Sequence, residues 1–475
     1  MKKARFLEST RLAESPASLL VVRDFLREAA EERPDHLFIE APRSSVTFAR
    51  ADERVSTMAG GLKDLGIRRY DRVAVWASNQ IDSALAIFAI WRVGGICELV
   101  NTRLTEGEVH RQLQRANSQQ IVGVNPPKLG FKTVDPGSLS GDPIEGSKID
   151  PADTALIIHT SGPAGGPKGV RLTFANLDSA AASCSAQIHQ TPEDRWLTLL
   201  PLSQIGGASI IIRCVRRGNA AVLEPGFRAE RVVEILSSGS VTLASMVPPM
   251  LRRVLEVSEG PFHGLRALLL SGASVSDELC ARAAVAGIPV IPTYGMTETA
   301  SHVATARLSD AFGPRWRLVA VPGAQVRSVD GILQARGPMV SPGYVGELDR
   351  SPSDWFVTGD LGEVDDQGVI SVFGRADEVI VTGGDAVFPA EVEHVLESHP
   401  EVREAIVVGI PNEVFGSQVV AVFSGDALIA ELERFARAHL AGFKVPKRWV
   451  RLERIPKTGL DKPDRQMLIE MLSRI

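Results

Sequence analysis

Short apolar runs alternate with amphipathic stretches along most of this chain. Arg72–Ser78 reads as a strand, and Ser83–Val93, rich in Ala, Ile and Leu, reads as a helix. Thr154–His159, Trp196–Leu202, Ala220–Leu223, Val241–Val247 and Ala267–Leu270 are further strand candidates. Continuous apolar runs of this length suit strands covered on both faces, as in a sheet flanked by helices. The alternation predicts an α/β fold class, with a large N-terminal domain of layered sheets and helices. A polar connector, Glu145–Asp153, interrupts the pattern, and no internal repeat is found. Toward the C-terminus the cycle shortens to helix Pro389–Ser398, strands Ala405–Gly409 and Val419–Phe423, and helix Leu428–Leu440. Pro389 stands near a helix start, where a missing N–H costs nothing, and Val392, Val395 and Leu396 then share one face. This predicts a small α+β domain over 376–475, following a large one over 1–375.

Composition narrows the picture. The 475 residues give a prior of about three domains. Hydrophobic residues at 44% and charged residues at 23% argue against a disordered or fibrous chain. A net charge of −5 gives no electrostatic case for a nucleic-acid partner. The four cysteines, Cys97, Cys184, Cys214 and Cys280, are far apart and lack CxxC spacing, which argues against a disulfide framework or zinc site and for a cytoplasmic protein. No apolar run approaches the roughly 20 residues of a membrane span. The basic start Met1–Phe6 is not followed by the apolar stretch of a signal peptide, so export is not expected. Whether the chain forms a homo-oligomer stays open.

Candidate chemistry begins with a Gly-rich loop after a strand, His159-Thr-Ser-Gly-Pro-Ala-Gly-Gly-Pro-Lys-Gly-Val170. Gly162, Gly165 and Gly166 permit close backbone approach, and free N–H groups in such a loop can cradle a phosphate. Thr160 and Ser161 add hydroxyls and Lys168 a charge. The spacing matches neither GxxxxGK[ST] nor GxGxxG, and taken alone an ordinary surface turn is an equal reading. Four further segments accompany it: Tyr294-Gly-Met-Thr-Glu-Thr299, Thr358-Gly-Asp360, Gly374-Arg-Ala-Asp377 leading into Val379–Gly384, and Pro456-Lys-Thr-Gly-Leu-Asp-Lys462.

These five segments, in this order and at these separations, resemble the adenylate-forming superfamily of acyl-CoA synthetases, luciferase-type enzymes and peptide-synthetase adenylation domains. The resemblance implies a reaction in two halves. A carboxylic acid attacks the α-phosphate of ATP to give acyl-AMP and pyrophosphate, and a thiol, usually coenzyme A, then displaces AMP. Bringing two anions together demands electrostatic stabilisation, for which Mg²⁺ and a lysine are the expected tools. By resemblance, Glu298 holds the metal and Thr297 contacts the α-phosphate. Thr160, Ser161, Gly162, Lys168, Gly272, Ala273, Tyr294 and Gly295 belong to the nucleotide site. Asp360 pairs with the ribose hydroxyls, a carboxylate being able to accept from a vicinal diol, and Arg375 adds a ribose or phosphate contact. Lys462 reaches from the small domain to the reacting groups, and Asp377 marks a hinge about which that domain swings as a lid. A helix-start carboxylate, a Gly-Asp turn and an exposed lysine are the bland alternatives for Glu298, Asp360 and Lys462.

The motifs also depart from the family pattern. Pro163 and Ala164 replace hydroxyl residues of the loop, Gln204 stands where relatives often place a histidine, and Asp461 precedes Lys462 where glycine is usual. These changes motivate a second reading, a non-catalytic nucleotide- or acyl-binding homologue. The segment Pro201-Leu-Ser-Gln-Ile-Gly-Gly-Ala-Ser-Ile-Ile-Ile-Arg213 resembles the 2-succinylbenzoate–CoA ligase branch of the menaquinone pathway. If Gly206–Arg213 is helical, Gly206, Ser209 and Arg213 share a face at i, i+3 and i+7. Arg213 could then take the second carboxylate of a dicarboxylic acid bidentately, near Gln204 and Ser245. A snorkelling arginine at a helix end is the alternative, and another aryl or medium-chain acid is the alternative substrate.

Overall fold

The computed structural model describes residues 24–473 apart from 119, 127–129, 147–148, 161–167, 273–274, 276, 313–315, 413 and 459–461. Its large N-terminal domain is built on two sheets. The smaller has seven strands, with Thr154–Thr160 and Ile96–Val100 at its centre and the hairpin partner Lys168–Thr173 beside them. Ile96–Val100 pairs parallel with both Arg72–Trp76 and Thr154–Thr160, as their unbroken apolar runs predict. Helix Ile81–Arg92 covers these strands and is buried nearly all round, and helix Phe48–Asp64 packs against it.

The other sheet has 13 strands and changes character along its length. Arg195–Thr198, Ala220–Leu223, Leu243–Met246, Ala267–Leu270 and Val290–Met296 run parallel, each separated in sequence by a helix. Beyond Val290–Met296 the pairing turns antiparallel, through Ser301–Thr305, Leu318–Ala320, Val369–Arg375, Phe356–Val364 and Ile332–Arg336. This antiparallel extension has no helix-period segments between its strands, and the expected α/β alternation does not extend to it. The strand expected over Trp196–Leu202 ends at Thr198, because the chain turns through Pro201 to enter the helix Ile205–Arg217.

The small C-terminal domain has a core of its own. Helix Pro389–Glu397 packs Val392 and Leu396 onto the long hairpin Val402–Asn412/Gly416–Gly425, and helix Ile429–His439 adds Leu432 and Ala436. Leu468 and Leu472 of the last helix cover the hairpin's other face, with Ile406 and Val408. Both strands extend beyond the sequence expectation, since the hairpin's exposed ends carry no apolar signal. Among the described residues, no helix is long and apolar enough to cross a membrane.

Candidate active site

Several of the expected site residues lie on strand ends and turns, where side-chain contacts join them in two groups, Tyr294–Asp360–Arg375 and Lys168–Tyr344–Glu298. Tyr294 ends the parallel run, in register with Ala304 of the antiparallel strand Ser301–Thr305. The hairpin closes unusually tightly: a Cβ on Gly295 would lie 1.7 Å from the carbonyl oxygen of Ser301, so only glycine fits. Thr297 and Glu298 sit in the single 3₁₀ turn at its tip, Thr297–Thr299. Ser301 holds φ at +108°, a strained value for a residue with a side chain.

Glu298 is presented by a tyrosine that the sequence reading did not single out. Tyr344 Oη donates to Glu298 Oε1 at 2.9 Å, and burial together with the Glu298 charge pushes the phenol up, keeping it a donor. Tyr344 lies on the short strand Gly343–Tyr344, paired with Val170 beside the Gly-rich loop. Lys168 stands over its ring at 4.7 Å and near Glu347 at 3.5 Å. Thr160 Oγ1 donates to the Lys168 carbonyl at 3.5 Å, closing the base of the loop. Arg115, His159, Lys168, Tyr344 and Glu347 line a cavity of about 250 Å³ there. Ser161, Gly162, Pro163 and Ala164 lie outside the described residues, as do Ala273 and Asp461. Gly272 is described, with φ at +87°.

Asp360 is 9% exposed on the strand Phe356–Val364. Tyr294 Oη donates to its Oδ2 at 2.7 Å, and Arg375 Nη1 approaches Oδ1 at 3.4 Å. Burial pushes the Asp360 carboxyl up, and the Tyr294 and Arg375 bonds pull it back. Burial, with the Asp360 charge beside it, also raises the Tyr294 phenol. A carboxylate has about four lone-pair positions, so two remain for a diol. Arg375 also reaches Asp377 at 3.1 Å, across the crossover between domains. Lys462 is exposed in a turn of the small domain, its carbonyl accepting from the Thr458 N–H at 2.7 Å.

The acid end is different. The helix Ile205–Arg217 forms as expected, capped at its end by Gly218 at φ +73°. Gln204 stands at its start, and a Cβ on Gly206 would meet Leu200 Cδ1 at 3.1 Å. The Ser209 hydroxyl turns back to the Gly206 carbonyl at 3.4 Å, and Ser245 accepts from Trp196 Nε1 at 3.1 Å. Arg213 does not snorkel: it is 2% exposed. Its guanidinium lies 5.5 Å from the Trp196 ring centre, and Nη2 lies 3.4 Å from Nδ1 of His302. Its Nε has no partner, and among the described residues no carboxylate pairs with it. Burial, then the Arg213 charge, holds His302 well below its ordinary range, so the ring accepts in its neutral form. His302 and Trp196 carried no sequence signal beyond their nearness to motifs.

Among the described residues no cluster of three or more His, Cys, Asp or Glu could cage a metal. Glu298 supplies one carboxylate with one oxygen tethered. That donor set fits Mg²⁺, which binds through one or two carboxylates and completes its shell with water and phosphate oxygens.

Comparison with known proteins agrees with this geometry. Residues 26–348 match the AMP-binding enzyme family, and 391–462 match the AMP-binding enzyme C-terminal domain. The 2-succinylbenzoate–CoA ligase of Listeria monocytogenes is 32% identical over 443 residues, covering 90% of this chain and 95% of that protein. The o-succinylbenzoate CoA synthetase of Bacillus subtilis, in complex with its acyl-adenylate intermediate, superposes with a TM-score of 0.88 at 28% identity, covering 95% of this chain and 98% of that one. The same enzyme has also been solved with ATP and magnesium. A double mutant of it bound to a product analogue gives 0.72 at 28% identity, covering 94% of this chain and 98% of that one.

Proposed function

The chain belongs to the AMP-binding enzyme family, and on that premise we propose that it is an ATP-dependent, AMP-forming acid–CoA ligase that converts 2-succinylbenzoate to its CoA thioester in menaquinone biosynthesis. The observation that carries the choice of acid is Arg213, a buried cation with no carboxylate partner among the described residues. A buried charge is tolerated when something pairs with it, and a dicarboxylic acid brings the missing anion. The other carboxylate would be the one that is activated.

In the first half-reaction the acid's carboxylate attacks the α-phosphorus and pyrophosphate leaves. Asp360, fixed by Tyr294 and Arg375, holds the ribose hydroxyls. Thr297 and Lys168 face the phosphates. Glu298, oriented by Tyr344, would hold Mg²⁺, which neutralises phosphate charge when bound. Lys462 would enter from the small domain to stabilise the transition state, the domain swinging at Asp377. The orientation of that domain here is read as the adenylate-forming one, a reading supported by the closer superposition on the acyl-adenylate complex. Coenzyme A then displaces AMP. A cytoplasmic location suits these substrates and the four unpaired cysteines.

Pyrophosphate release with ATP and a panel of acids tests the reading. 2-Succinylbenzoate should exceed benzoate and octanoate in kcat/KM by about 100-fold or more, the scale of one buried charge pair. Comparable turnover of octanoate would overturn it.

A further inference from the structure

Among the described residues, two contacts join the domains beyond the crossover itself. Near it, the Phe373 and Phe388 rings lie 6.3 Å apart. Away from it, Arg252 of helix Pro248–Val257 reaches Glu397, the last residue of helix Pro389–Glu397. Arg252 Nη2 donates to Glu397 Oε2 at 2.6 Å, and Nη1 donates to the Glu397 carbonyl at 3.2 Å. That carbonyl is one of the acceptors every helix leaves unsatisfied at its C-terminal end, where the helix dipole is also negative. One guanidinium thus answers a side-chain charge and caps a helix from across the domain boundary. The two side chains are only 12% and 21% exposed.

Among the described residues of the small domain, no cation pairs with Glu397. Glu393 on the same helix and Glu404 on the neighbouring strand face it as like charges. Arg465 is engaged with Glu393 at 2.7 Å and with Glu378 at 3.2 Å, and Lys457 is engaged with Glu404. The Ala405 N–H donates to Glu397 Oε1 at 3.2 Å. Burial pushes the Glu397 carboxyl up to about 7 against the pull of Arg252 and that N–H. Among the described residues, the ion pair joining the domains away from the crossover is this one.

Building on the ligase reading above, we propose that Arg252 and Glu397 are positioning residues that latch the small domain in its adenylate-forming orientation and part before the thioester step. A contact present in one of two orientations biases the equilibrium between them by its own strength. Its loss therefore weakens the half-reaction served by the latched orientation and spares the other.

The test uses the full-length enzyme and the variants Arg252→Gln, Glu397→Gln and Arg252→Lys. Pyrophosphate release without CoA reports the first half-reaction, and thioester formation from supplied acyl-AMP reports the second. The two glutamine variants should lose about 5- to 10-fold in the first, within the usual range of such couplings, and keep or gain rate in the second. Arg252→Lys, which retains the charge, should recover most of the first. An equal fall in both half-reactions, or wild-type behaviour in both, would overturn the latch. Energy transfer between dyes placed at the exposed positions Val285 and Leu428 reads domain orientation without any acid. A changed distance distribution in the glutamine variants, with no turnover of 2-succinylbenzoate by the wild type, would retain the latch and sink the substrate assignment. An unchanged distribution would sink the latch alone.

Discussion

Asp360 and Arg213 are both charged and both buried, yet they are treated oppositely. At the nucleotide end, Asp360 receives hydrogen bonds from Tyr294 and Arg375, and Glu298 receives one from Tyr344. The protein answers its own charges, and a ligand adds to a network already satisfied. At the acid end, Arg213 meets an aromatic face, a neutral imidazole and nothing anionic among the described residues. The protein there carries an imbalance that only its substrate removes. The contrast teaches that the two ends choose ligands by different means. On the proposed reading, the nucleotide end would select by shape and hydrogen-bond geometry, and the acid end by charge.

Three changes would break or sharpen that contrast. The largest effect is expected from Arg213→Met. The KM for 2-succinylbenzoate should rise about 100-fold or more while that for ATP moves less than about twofold, as for loss of one partner of a buried pair. The same substitution should raise Tm, because the uncompensated buried charge it removes outweighs the 3.4 Å contact to neutral His302 that it gives up. A fall in Tm would show that Arg213 is already answered in the free enzyme. Asp360→Asn should do the reverse: about a 10-fold rise in KM for ATP, little change for the acid, and a lower Tm as Tyr294 and Arg375 lose their charged acceptor. The smallest effect concerns His302. Its folded-state affinity for protons is far below its unfolded value near 6.5. The unfolded chain therefore takes up a proton that the folded one refuses, and stability falls as pH drops below 6.5, by at most about 1.4 kcal/mol per pH unit. His302→Gln should remove that slope in denaturant titrations between pH 6.5 and 5, and an unchanged slope would place its origin elsewhere.

Much of this was legible beforehand because it rests on local pattern. The parallel strands show as unbroken apolar runs, and the face shared by Gly206, Ser209 and Arg213 follows from helical spacing once Ile205–Arg217 is granted. The motifs placed Tyr294, Asp360 and Arg375 in one site, and the structure brings them into contact. What the sequence did not reveal depends on pairing between distant segments. The strands Gln325–Val329 and Val369–Arg375 carry weak alternation, since both faces are partly exposed. Tyr344 meets Glu298 only because Gly343–Tyr344 joins the edge of the smaller sheet. Arg252 and Glu397 lie on separate amphipathic helices, each of which reads as solvent-facing at that position. Ser161 and Gly162, central to the phosphate expectation, lie outside the described residues.

The tight hairpin at Gly295 has one more consequence. Tyr294, which steadies the ribose partner, and His302, which touches the acid-binding arginine, hang from facing strands of that hairpin, with Gly295 opposite His302 in register. Their separation is set by backbone hydrogen bonds and by a contact too close for any side chain at position 295. On the proposed reading, the hairpin is thus a fixed gauge between sugar and distal carboxylate. It should penalise a succinyl arm one methylene longer or shorter by miscounting the span, even where charge, ring and reacting group are all correct.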